Sequence, residues 1–270
     1  MHGSDALIHE CQIGSGADDV ISKDWCIARF ADVLRNLPPS IGEAAATGAE
    51  LLLYDEVIRG KRLQIYYTPF DRLNPRAKVL LVGITPGAQQ QTLAVQEAAR
   101  ALRYGASPDA AVRLAKATAS FAGPMRKNAV AMLDDIGLAR ALGNDSTSSL
   151  FTPDCDLVAS TSAICRAVFV NGENYTGTGP KIGSAPVLRA FAEQVLAAEL
   201  AATPDALIVP FGKAASAAVE LALRAGGLSA ERCLLGFPHP SGANGTRKKT
   251  FARERDRLRD TVERWAASRW

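Results

Sequence analysis

The segment Lys78-Val79-Leu80-Leu81-Val82-Gly83 runs directly into Ile84-Thr85-Pro86-Gly87. Its apolar residues are consecutive and do not alternate with polar ones, which suits a strand buried on both faces of a parallel sheet. Gly83 and Gly87 let the backbone turn tightly and approach a ligand closely, while Pro86 stiffens the turn. Taken alone, a Gly-Pro turn after a strand is more often structural than functional. Its spacing does not match a phosphate-binding Walker loop.

Three later segments read the same way: Cys155–Thr161 (CDLVAST), Ala206–Gly212 (ALIVPFG) and Arg232–Phe237 (RCLLGF). Helical patterns over Gln91–Tyr104, Pro108–Ala119, Met125–Leu142, Pro186–Ala202 and Lys213–Ala225 separate them. Strands alternating with helices imply βαβ units with right-handed crossovers. The expectation is an α/β fold, a three-layer α/β/α domain around a small parallel sheet of about four strands. Upstream, Ser22 or Asp24 can cap a helix that Pro38-Pro39 ends near Leu37. A second helical pattern covers Glu43–Arg59, and Lys61–Tyr67 reads as extended. Residues 1–20, rich in Gly, Ser and Asp, are expected to be a flexible tail, and residues 21–270 a single domain.

Composition narrows the function classes. With 270 residues, 47% of them hydrophobic and 22% charged, the chain lies in the globular range. No run of about 18 apolar residues exists, so no membrane partner is expected. Residues 1–20 lack the basic start and apolar middle of a secretory signal. Cys11, Cys26, Cys155, Cys165 and Cys233 are scattered and form no CxxC pair. That disfavours zinc and iron–sulfur clusters, so no metal and no cofactor is expected, and reduced thiols suit a cytoplasmic location. The net charge is only +3, but Arg247–Arg269 is strongly basic. Such a patch can bind phosphates, although a charge run is more commonly a solvated helix face.

In open α/β sheets, ligands bind beyond the carboxyl ends of the strands. The loops after each strand are therefore the site candidates: ITPGAQQ, TSAICR, FGK and PHPSGANG. His239 stands in the last, between Pro238 and Pro240, and apart from His2 and His9 it is the one histidine. Two prolines aim its backbone rigidly at a strand end, which favours a functional over a structural reading.

Gly83-Ile84-Thr85-Pro86-Gly87, followed far downstream by His239-Pro240-Ser241-Gly242, resembles the two signature motifs of the uracil-DNA glycosylase superfamily. Ser120-Phe121-Ala122-Gly123-Pro124 is similar to the family's Phe-containing segment, and ALIVPFGKAASAAV to its third strand and following helix. The resemblance runs from about Leu63 to the end of the chain. Glycine at position 87 is similar to the single-strand-selective and mismatch-specific branches, where classical members carry a tyrosine that blocks the thymine methyl. The absent cysteine quartet separates the chain from the iron–sulfur branches.

The resemblance implies a monofunctional enzyme of base excision repair. It would turn a damaged base out of DNA and hydrolyse its N-glycosidic bond, acting on uracil and other deaminated bases. It also implies a monomer near the nucleoid, with DNA as partner. His239 would donate to the base carbonyl as negative charge builds there. Phe121 would stack on the base, or else serve only as a core aromatic. Gly83, Ile84 and Gly87 would bound the base pocket. In HPSG and the segment that follows it, which resembles the family's DNA-intercalation loop, Ser241, Gly242, Lys248 and Lys249 would meet phosphates, while Asn244 or Arg247 would fill the gap left by the base.

Two departures matter. Family members place Asp or Asn where this chain has Thr85, and a threonine positions water but is a poor general base. Thr85 is thus either a water-positioning residue or a structural one, with Gln89 and Gln90 as further water contacts. The family's base-reading Asn corresponds to Ser162, or to Thr161 if the register shifts by one. A rotatable hydroxyl discriminates less than a fixed amide, and Asn171 or Asn174 can compensate. A lesion-binding module with little hydrolysis is the competing reading, kept open by Thr85. A small-molecule nucleotide hydrolase is a third, disfavoured by the basic segment after HPSG.

Overall fold

The computed structural model describes residues 17–22, 26–121, 123–152 and 155–268. A one-turn helix α1 (Ala17–Val20) buries Val20, so packing begins inside the stretch expected to be a tail. Residues 1–16 and Asp24 lie outside the described residues. Helix α2 (Ile27–Asn36) ends ahead of Pro38-Pro39 and buries Ile27, Phe30, Ala31 and Leu34 along one face.

The segment expected to be helical from Glu43 to Arg59 is mostly not. A single turn α3 (Glu43–Ala46) gives way to strand β1 (Leu52–Ile58), which pairs antiparallel with β2 (Lys61–Tyr66). Arg59 and Gly60, at φ 51° and 76°, make the turn between them. Local Ala and Glu content favours helix, but cross-strand pairing and burial of Leu53, Leu63 and Ile65 outweigh it.

Strand β3 (Val79–Gly83) is the centre of the parallel sheet. Helices α4 (Ala88–Arg103), α5 (Pro108–Ala119), α6 (Pro124–Asp135) and α7 (Leu138–Ala141) lead to strand β4 (Val158–Ser162). The expected helix over Met125–Leu142 is thus broken, at Gly137 with φ 82°. Strands β5 (Ala167–Val170) and β6 (Glu173–Asn174) form a hairpin that joins β1 and β2 in a four-stranded antiparallel sheet of order β1-β2-β5-β6. Helix α8 (Pro186–Ala190) continues through a π-helical stretch, Phe191–Leu196, into α9 (Ala197–Ala202). Then come β7 (Leu207–Pro210), α10 (Lys213–Gly226) and α11 (Arg247–Ala267).

The parallel sheet has order β4-β3-β7. The fourth segment, Arg232–Phe237, adds one bridge, Cys233 to Ile208. Gly236 at φ 83° and a Phe237-to-Leu234 turn then carry it out of the sheet, so three strands and one rung replace the expected four. Alternate residues of β3 explain its unbroken hydrophobicity. Leu80 and Val82 face a core shared with α4, α5 and α10, whereas Val79 and Leu81 face a second core with α6 and α11. Helices thus cover both faces of the parallel sheet, giving the three-layer α/β/α fold. No described helix is long and apolar enough to cross a membrane.

Candidate active site

A cavity of about 690 Å³ opens where β3, β4 and β7 end. Its lining includes Gly83, Ile84, Thr85 and Gly87 after β3, Thr161 and Ser162 of β4, Phe121 ahead of α6, and His239 and Ser241 after the fourth segment. Residues far apart in sequence therefore meet at one strand-end crevice. Asn244 also lines it, whereas Gly242, Arg247, Lys248 and Lys249 do not.

His239 is held at both its ring and its backbone. Its Nδ1 accepts from the Ser241 amide at 3.2 Å, and its carbonyl accepts from Asn244 Nδ2 at 3.0 Å. An accepting Nδ1 fixes the neutral tautomer with the proton on Nε2, leaving that nitrogen as a donor. Burial pushes the imidazole below its ordinary pKa and so favours the same neutral form. Gly212 packs against it: at φ 92°, a Cβ there would stand 3.0 Å from His239 Cβ. Only glycine suits both the conformation and the closeness.

Phe121 stands both in the cavity wall and in the core. Its ring lines the cavity, and it also belongs to the core, meeting Phe211 edge-on at 5.0 Å. Phe211 continues to Phe237 and Phe251, so the ring is held by an aromatic row. Phe121 also carries φ 49°, a strained conformation for a bulky residue that costs about 1–3 kcal/mol. Gly83 lies opposite: a Cβ there would be 3.5 Å from the Phe121 ring and 3.2 Å from Ser162 Oγ.

The hydroxyls differ in how far they are committed. Thr85 Oγ1 donates to the Arg166 carbonyl at 2.5 Å and accepts from the Val168 amide at 3.1 Å. It ties the first loop to β5, with one acceptor lone pair left. Beneath it, buried Arg166 pairs with Asp71 at 2.7 Å, and Asp71 also accepts from the Tyr67 hydroxyl. Thr161 donates downward to Glu199 at 2.5 Å, and burial raises the pKa of that carboxyl. Ser162 has no such partner among the described residues and is the freer of the two register alternatives.

The room left by Gly87 is occupied. Asn174 Oδ1 accepts from the Ala88 amide at 2.7 Å and stands 3.3 Å from where a Cβ at residue 87 would be. Gln90 Oε1 accepts from the Gly87 amide at 3.3 Å and lines the cavity, whereas Gln89 is exposed and does not. Asn171 points elsewhere, accepting from the Arg62 amide.

Sequence reasoning missed the wall that carries Asn174. Tyr175, Thr176 and Thr178 line the cavity from the loop after β6. Gly177 docks that loop on α10, since a Cβ there would overlap Ala214 Cβ at 2.3 Å. The available signal was Asn171-Gly172, the dipeptide of a tight hairpin turn, with both residues at positive φ. Ser160 was missed as well, whereas Lys213 lies in the expected FGK loop.

The HPSG loop is braced from behind. Arg247 donates to the Ser241 carbonyl at 2.5 Å and to Asn128 Oδ1 at 3.3 Å, while Asn128 Nδ2 donates to the Pro240 carbonyl. Asn244 and Arg247 are thereby folded onto the loop. Lys248 and Lys249 are exposed at the start of α11 and form no ion pair with a described residue. Further along, Arg253 and Arg257 pair with Glu254, so the basic run is partly neutralised away from the site.

Asp and Glu are absent from the described cavity lining, and no described group of three His, Cys, Asp or Glu converges as a metal centre would require. The chemistry on offer is a fixed neutral donor, an aromatic face and several hydroxyls.

Comparison with known proteins fits this arrangement. Residues 70–265 match the family model for the uracil DNA glycosylase superfamily. The chain is 36% identical over 244 residues to the "Uncharacterized protein YoxB" of Bacillus subtilis (strain 168), covering 90% of this chain and 94% of that protein. No solved structure gives a significant match. By its sequence and its fold, the chain belongs to the uracil DNA glycosylase superfamily.

Proposed function

We propose that the protein is a monofunctional DNA glycosylase that removes uracil and other deaminated bases. The observation that carries this reading is His239, pinned as the Nε2–H tautomer at the rim of a strand-end cavity that Phe121 also lines. A base turned out of DNA stacks on Phe121 and presents its carbonyl to Nε2–H. The C1′–N bond breaks with its electron pair leaving on the base, water adds at C1′, and the proton it loses passes through solvent to the departed base. His239 stabilises the charge arriving on the carbonyl, a contribution of about 100- to 1,000-fold for a preorganised donor. With Thr85 occupied by backbone groups and no carboxylate in the lining, departure of the base leads the reaction. Lys248, Lys249, Ser241 and Gly242 meet the phosphates of the strand, so binding is salt-sensitive and weakly dependent on sequence. The protein acts as a monomer in the cytoplasm.

Incubation with a uracil-containing oligonucleotide followed by alkali tests this. Strand cleavage only after alkali is expected. The committed Thr85 hydroxyl favours one second reading, a lesion-binding module with the same fold. Tight retention of the lesion without an abasic product identifies it.

A further inference from the structure

A second cavity, of about 180 Å³, lies behind the wall made by Ser120, Phe121 and Ser160, the residues it shares with the first. It runs along the outer edge of β4, between α5 and the start of α6. Its charge is one-sided. Arg72, Arg76, Arg113, Lys116 and Arg126 line it, against one carboxylate among the described residues, Asp156. Arg72 is paired with Asp109 at 2.7 Å, but Arg76 reaches Asp156 only at 4.0 Å, and Arg113 and Arg126 form no ion pair with a described residue.

Arg126 is the built part of this pocket. Its guanidinium lies over the Phe151 ring at 5.3 Å, and one nitrogen donates to the Ser120 carbonyl at 3.0 Å. Its Nε is buried and has no hydrogen-bond partner among the described residues. A guanidinium held in place by a ring and a carbonyl, and paired with no described carboxylate, presents its positive charge to the cavity. Lys116 adds to this. Its ammonium donates to the Arg72 carbonyl and lies over the Phe70 ring at 5.9 Å, and burial lowers its pKa, which an arriving anion would counter.

We infer that this side cavity is a phosphate-binding site, with Arg113 and Arg126 as its principal ligands and Arg76 and Lys116 as supporting charge. Guanidinium groups match tetrahedral oxyanions in both geometry and charge. The phosphate can come from the strand whose base enters the neighbouring cavity or from free solution. The first source rests on the glycosylase reading, whereas the phosphate chemistry does not.

Calorimetric titration of the full chain with inorganic phosphate tests the site without reference to excision. Saturable binding is expected, weakened at least about tenfold by Arg126→Gln or by Arg113→Gln. Arg113 is exposed on α5, so its variant carries the test if Arg126→Gln does not fold. No saturable binding overturns the proposal, as does binding insensitive to both variants but lost in Lys248→Gln/Lys249→Gln. A second arm measures the salt dependence of lesion-oligonucleotide binding. If the site takes a strand phosphate, the slope of log K against log salt falls by about 0.7–0.9 in either variant. An unchanged slope with lost phosphate binding assigns the site to the free ion.

Discussion

Asn174 Oδ1 stands 3.3 Å from the point where a side chain at Gly87 would begin, and it holds the Ala88 amide at 2.7 Å. Glycine at residue 87 therefore makes way for an amide on the β6 hairpin. The space that a side chain at residue 87 would fill is taken by a polar group from elsewhere in the chain. Asn174→Ala should then admit 5-substituted pyrimidines, raising their excision relative to uracil by about tenfold. It should also cost about 1 kcal/mol of stability through the unpaired Ala88 amide. Single-lesion duplexes and a denaturant melt check the two effects. An unchanged substrate range would show that Asn174 only caps the helix.

Ser162 leads to the second prediction. Its hydroxyl is uncommitted and can donate or accept, so the wild type should excise hypoxanthine and xanthine as well as uracil. Those purines keep an N–H beside a carbonyl and can use much of the same pattern. Ser162→Asn should narrow the range towards uracil, because a fixed amide leaves polar groups unpaired with the wrong base. Single-turnover excision across a lesion panel decides this. Wild-type activity confined to uracil would mean that another group reads the base edge.

Thr85 gives the third. The isosteric change Thr85→Val leaves the Arg166 carbonyl and the Val168 amide without their partner, and each such loss costs about 1–3 kcal/mol. Thr85→Ser keeps both bonds and should retain stability and rate. If Thr85→Val melts like the wild type while excision collapses, the hydroxyl acts on water and not on the loop.

The parallel sheet was legible because burial on both faces leaves an unbroken apolar run, as at Val79–Val82. The strand-end rule then located Gly83, Thr85, Ser162 and His239 around one crevice, and the family resemblance added Phe121. The antiparallel sheet was hidden for the opposite reason. Leu52–Ile58 is an edge strand whose partner supplies its hydrogen bonds, and its Ala- and Glu-rich approach reads as helix. Missing that sheet also concealed the wall formed by Tyr175, Thr176 and Thr178. The roles of Asn244 and Arg247 depend on contacts with His239, Ser241 and Asn128 that no local pattern encodes.

The pH dependence follows from His239. Its Nδ1 accepts from Ser241, so protonation would set two N–H groups against each other, and burial already lowers its pKa. Excision should stay flat from about pH 8 down to about 6.5, the ordinary imidazole value, and decline only below it. Nitrogen NMR should find the proton on Nε2 at neutral pH. A decline beginning above the ordinary value, or a proton on Nδ1, would contradict this assignment.

We propose that His239 stabilises the departing base. Single-turnover excision of uracil by His239→Ala, measured beside its affinity for the same oligonucleotide, tests it most directly. The expected result is a rate lower by at least about 100-fold with DNA binding largely retained. Excision at the wild-type rate in that variant would remove His239 from the reaction and contradict the account.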